Sequence, residues 1–313
     1  MIAVFTFLRA HTIYALILLL AVFVVGVELV RPGTVTPLWA SNTLLFAAPL
    51  AIMGAGQTMV MLTGGIDLSV ASVATGAAYL LATNASLGAL PAIGLALLLG
   101  AVVGIVNGIG VALLRVQPLV MTLGAGLMTG GVMIVYSQHM MASEPHVPAI
   151  IQTLGAGKVL GLVPVDLFLW LVIGALILFG LQRTGFGRLL YAVGDNREAC
   201  HLAGVRVWRV LFANYLICAL LAAITGLVLV GGTNAADLSL ADSYLLPSVA
   251  CVVIGGTSIF GGRGGYSGTI VGALILTVLT GLLTLLDVSE PIKQILYGAI
   301  ILSLAAAYAR LTE

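Results

Sequence analysis

Apolar residues run through this chain in blocks of about twenty, separated by short polar breaks, from "TIYALILLLAVFVVGVELV" to "IKQILYGAIILSLAAAYAR". As a helix, about twenty residues cover the roughly 30 Å of a bilayer's hydrocarbon core. Ten blocks predict ten spans, near 13–30, 43–62, 68–86, 90–113, 119–138, 165–182, 210–231, 245–260, 266–286 and 292–309. The third and eighth carry the weakest signal, because "GGIDLSVASVATGAAYLLATNA" and "CVVIGGTSIFGGRGG" are crowded with Gly, Ser and Thr. Backbone groups in lipid must bond within their own element, so the expected fold is all-α, a polytopic membrane protein of one domain spanning 1–313. No small-x-small cleavage site follows the first block, which predicts a retained span.

Composition agrees. Of 313 residues, 61% are hydrophobic and only 7% charged, and mean hydropathy is +1.21. Soluble domains carry roughly a quarter charged residues. A net charge of +1 gives no bulk attraction for nucleic acid, and none is expected as a partner. Cys200, Cys218 and Cys251 are too scattered for a disulfide framework or a metal site and read as small hydrophobes.

The few charges are unevenly placed. With both termini cytoplasmic, ten spans put Arg9, Arg115, Arg183, Arg188, Arg197, Arg206, Arg209, Arg263 and Arg310 inside, and only Arg31, Lys158 and Lys293 outside. That is the positive-inside bias. Five of the twelve basic residues fall in one cytoplasmic loop, 183–209. Within it, Asp195 and Glu198 have the spacing of a capping box, and Gly204 is a natural stop. Between them "NREACHLA" predicts a two-turn helix. Lipid headgroups account for the arginines, but a capped helix with Ala199, Leu202 and Ala203 on one face suits insertion into a groove on a cytoplasmic partner.

The stretch "EACHLAG" (198–204) resembles the Glu-Ala-Ala-x-x-x-Gly signature of ATP-binding cassette importer permeases, with Cys200 replacing the second Ala. "RTGFGRLLYAVGDNREACHLAGV" is similar to the branch carrying ribose, xylose and related monosaccharides. "GGIDLSVAS" (64–72), "VVIGGTSIFGGRGGYSGTIVGALIL" (252–276) and the closing block agree in order. The resemblance implies two permease subunits, identical or related, in a bacterial inner membrane. It implies a cytoplasmic ATPase that holds ATP and Mg, and a periplasmic sugar-binding protein. It also assigns ATPase coupling to Asp195, Asn196, Glu198, Ala199, His201, Leu202 and Gly204. This chain has no G-x-x-x-x-G-K-[ST] phosphate loop, so it is expected to be a transport subunit without cofactors or catalytic residues of its own. Leu245 and Pro247 stand where the family tends to carry acids, and Ala71 where a Gly is frequent.

Polar residues near the spans are the candidates for a substrate path: Gln57, Asp67, Asn107 and Asn214. Each amide could equally join neighbouring helices, and Asp67 with Ser69 could cap the third span. Gly64, Gly65, Gly255, Gly256, Gly261 and Gly262 permit a gate hinge or tight packing. The Gly-Gly pairs in "MLTGGIDLSVASVATGA" and "VIGGTSIFGGRGGYSGTIVGA" faintly echo one another, as halves of an internal repeat would. The outer loop "SQHMMASEPHVPAI" suits docking of the binding protein better than metal ligation by His139 and His146. An ion-coupled secondary transporter would need mid-span acids, which are nearly absent. An intramembrane enzyme would need a catalytic constellation, and none is present.

Overall fold

The computed structural model describes residues 12–139, 146–235 and 237–312. The expected docking loop therefore lies partly outside the described residues. The helices in chain order are α1 (Thr12–Val30), α2 (Pro37–Leu62), α3 (Val70–Thr83), α4 (Ala89–Ala112), α5 (Pro118–His139), α6 (Ala149–Ala156), α7 (Val165–Arg183), α8 (Gly185–Asp195), α9 (Arg197–Leu202), α10 (Val207–Thr233), α11 (Leu245–Ile254), α12 (Tyr266–Leu285) and α13 (Glu290–Thr312). A two-residue antiparallel hairpin, β1 (Lys158–Val159) with β2 (Val163–Pro164), lies between α6 and α7.

Among the described residues, seven helices, α1, α2, α4, α5, α7, α10 and α12, are long and apolar enough to cross a membrane; α13, where the tenth span was expected, is not among the seven. The two weakest sequence spans are the two short apolar helices. The third shrinks from 68–86 to the 14 residues of α3, and the eighth from 245–260 to the 10 residues of α11. The third loses only its ends, 68–69 and 84–86, whereas in the eighth the glycine-rich part leaves the helix, since 255–265 follows α11. Glycine in a helix interior costs about 1 kcal/mol relative to alanine, so such a segment stays helical only where packing demands it.

The polar segments sort to two ends of the bundle. Residues 62–65, 191–197 and 260–264 meet at one end, and Lys158 reaches Asn42 near the start of α2 at the other. At the centre, α10 packs on α2, α3 and α4, while α12 packs on α1, α2 and α11. α2 is buried from Ala47 to Leu62, whereas α1, α4, α5 and α7 turn Leu, Val, Ile and Phe outward. An apolar exterior is what lipid solvates, and small interior residues let the helix backbones close up. A Cβ on Gly226 of α10 would collide with the Ala74 carbonyl of α3.

Gly226→Val should separate α10 from α3. Overpacking of this kind costs about 1–3 kcal/mol. In detergent the variant should show a lower thermal midpoint and yield, whereas Gly130→Ala, with open space at its Cβ, should match the parent.

Candidate coupling site

The 183–209 loop holds two helices. α8 was not expected, because 183–209 reads as a loop holding only one short helix. It forms because Thr184 caps it, accepting from the Gly187 amide at 3.2 Å, and because Gly187, Leu190 and Val193 bury one face. α8 runs through Asp195, which corrects the expected cap. Asn196, extended at φ −153° and ψ 101°, ends α8 and starts α9, and its Oδ1 accepts from the Ala199 amide at 2.9 Å. The cap is one residue later than expected, so Glu198 sits one place too early for the reciprocal bond of a capping box.

The far end of α9 matches expectation. Gly204 has φ +81°, its amide donates to the His201 carbonyl at 3.0 Å, and the Val205 amide donates to that of Cys200 at 2.9 Å. This paired closure, built on a left-handed glycine, is a Schellman motif. α2 ends the same way at Gly64 (φ +71°), as does α11 at Gly256 (φ +88°). The two echoing Gly-Gly pairs thus do one local job, shifted by a residue: the first glycine of one pair and the second of the other.

The end of α2 is where these segments meet. A helix leaves its last carbonyls without intrahelical partners, and the region around them is buried. Three come from elsewhere in the chain. The Asn214 amide of α10 donates to the Met59 carbonyl at 3.0 Å, the Gly262 N–H to that of Leu62 at 3.0 Å, and the Arg197 guanidinium to that of Thr63 at 2.6 Å. A cation at a helix C-terminus also meets the favourable end of its dipole. The approach needs glycine on both sides: a Cβ on Gly194 would collide with the Leu62 carbonyl and the Gly262 amide. Gly261 (φ +94°) would meet Gly194 and Gly64 likewise. Tyr191 donates from Oη to the Gly264 carbonyl at 3.0 Å, and burial pushes its phenol above the ordinary value, which keeps it a donor. Gly255 lies against Gly268 at the start of α12, and Gly65 under the Tyr215 hydroxyl.

The substrate-path candidates are completely buried and tied to neighbours. Gln57 grips the backbone of residue 67 on both sides, donating from Nε2 to the carbonyl at 2.6 Å and accepting from the amide at 3.2 Å. Asp67 Oδ1 accepts from the Ser69 amide and hydroxyl, and Asn107 Nδ2 donates to Ser69 Oγ. These bonds pin the 63–69 segment between α2 and α4. Asn214 braces the end of α2, donating also to Thr63 Oγ1 at 3.1 Å. Asp166 in the first turn of α7, passed over in the sequence, is buried with neither carboxylate oxygen bonded. Its place at a helix N-terminus is the one signal that could have found it.

α9 turns Cys200 inward and leaves Glu198, Ala199, His201 and Leu202 exposed, Leu202 by 79%. Beside it a groove of about 630 Å³ runs to the α4–α5 turn, lined by Arg115, Arg197, His201, Arg206 and Trp208.

Residues 39–305 match a family described as branched-chain amino acid transport system / permease component. The chain belongs to that permease family. It is 35% identical over 299 residues to the ribose import permease protein RbsC of Escherichia coli (strain K12), covering 94% of this chain and 92% of that protein. It is 33% identical over 287 residues to the ribose import permease of Bacillus subtilis (strain 168), covering 90% and 88%. Against the fructose import permease protein FrcC of Rhizobium meliloti it is 33% identical over 263 residues, covering 82% and 73%. No solved structure matches it. As a member of this permease family, the chain is a transport subunit and a multi-pass protein of the bacterial inner membrane.

Gln57→Leu should free two buried backbone groups at residue 67. Each such group costs about 1–3 kcal/mol when left unbonded. The thermal midpoint of the purified permease should fall by several degrees, and a midpoint equal to the parent's would mean that the 63–69 segment holds without Gln57.

Proposed function

We propose that this chain is the permease subunit of an importer that takes a monosaccharide from a periplasmic binding protein and is driven by a separate cytoplasmic ATPase. The end bearing α8 and α9 faces the cytoplasm, and a second permease subunit completes the path. The bond from Arg197 to the Thr63 carbonyl carries the reading, because it ties the first residue of an exposed, capped helix to the end of the most buried span. When the ATPase closes on Leu202 and its neighbours, α9 passes the displacement through Arg197 and Gly194 to α2 and the 255–265 loop. Cargo class follows the ribose and fructose permeases that the chain resembles along most of its length.

In proteoliposomes holding the complete complex, Arg197→Ala and Gly204→Leu should each preserve ATP hydrolysis and lower sugar uptake about tenfold, the effect of losing roughly 1.4 kcal/mol of coupling. Uptake at the parent's rate in both would remove α9 from the coupling path. A permease that purifies from native membranes without an ATPase and accumulates solute on an ion gradient would instead be a secondary transporter.

A further inference from the structure

At the end of the bundle away from α9, a cleft of about 720 Å³ opens between the first half of α2, the start of α11, the last turns of α12 and the start of α13. Its size is that of a small-molecule site. The walls combine aromatic rings, Trp39, Phe46, Tyr244 and Tyr297, with the amide of Asn42 and a row of hydroxyls from Thr43, Thr277, Thr280 and Thr284. Among the described residues, the lining donors Trp39 Nε1, Asn42 Nδ2 and Ser243 Oγ make no hydrogen bond within the protein.

Of the residues that line the cleft, Glu290 carries a charge, and that charge is already paired. Glu290 pairs with Lys293 at 3.4 Å, and Lys293 donates further to Thr284 Oγ1 at 2.9 Å. Lys158 donates to Asn42 Oδ1 at 2.7 Å, which fixes that amide with its N–H₂ free. A zwitterionic amino acid needs a free cation for its carboxylate and a free anion for its ammonium. Rings with unpaired donors and hydroxyls suit a neutral polyol, whose apolar C–H face lies on aromatic carbon and whose hydroxyls exchange bonds with the rim.

Resting on the importer reading, we infer that this cleft is where the permease first receives the sugar, with Trp39 and Tyr244 as its aromatic walls and Asn42 as a donor. It selects neutral monosaccharides over amino acids. Binding is weak, because the cleft is open and the sugar must leave it. Gln57, Asp67, Asn107 and Asn214 lie outside its lining.

All three native cysteines are buried, so one cysteine at the exposed rim, Gly281→Cys, can be read by a membrane-impermeant maleimide. The assay uses the complete complex in membranes, with ribose, fructose or leucine at high millimolar concentration. Both sugars should slow labelling several-fold, and leucine should not. Trp39→Ala should abolish the protection and lower uptake, and Trp39→Phe should restore both. Labelling that sugars leave unchanged in a complex that is actively importing sugar overturns the cleft while the importer reading stands. A rim cysteine shielded without any sugar makes the cleft an interface and overturns it too. A parent complex that imports no sugar refutes the importer reading, and this inference with it.

Discussion

A helix that ends inside a protein must find partners for its last carbonyls, and the end of α2 finds them in three separate parts of the chain. Gly262 comes from the loop after α11, Asn214 from α10, and Arg197 from the loop helix. None of these contacts is large. Their effect comes from burial, since a carbonyl left unbonded there would cost about 1–3 kcal/mol. The same bonds that finish α2 therefore fix where the loop helices sit. A helix merely tethered by the chain could move without consequence, but α9 cannot shift far unless the end of α2 moves with it or loses a bond.

The polar residues inside the bundle extend that logic. In most membrane proteins a buried amide or acid invites a functional reading. Here Gln57, Asp67 and Asn107 hold a non-helical segment in place, and that segment contains the same Gly64 that closes α2. The interior near α9 is thus a braced frame. An aromatic cleft that includes Trp39, Asn42 and Tyr244 lies at the opposite end. In the reading proposed above, receiving a solute and transmitting force fall at different ends of α2.

Seven of the ten expected spans were legible because lipid imposes length and hydropathy on each helix, and the glycine-rich third and eighth blocks were rightly the doubtful ones. Gly204 was legible because few residues other than glycine suit a left-handed helix stop. The cap at Asn196 was not, since Asp195 and Asn196 are both good caps and only the packed face of Leu190 and Val193 extends α8 one residue further. α8 itself was hidden by two glycines whose need is tertiary: a Cβ on Gly187 would strike the Gly180 and Leu181 carbonyls. The partners of Gln57 and Arg197 lie in backbone atoms, which carry no mark in a sequence. The aromatic cleft was invisible for a related reason, because there α2 meets α11, α12 and α13 from the other half of the chain.

The central claim is that α9, the end of α2 and the 255–265 loop move as one body. Spin labels at Glu198 and Phe260, both exposed, report on it directly by pulsed dipolar spectroscopy. The distance should stay constant between the nucleotide-free complex and the complex trapped with ATP. A change approaching one helical turn would show α9 sliding past the frame and would contradict the account.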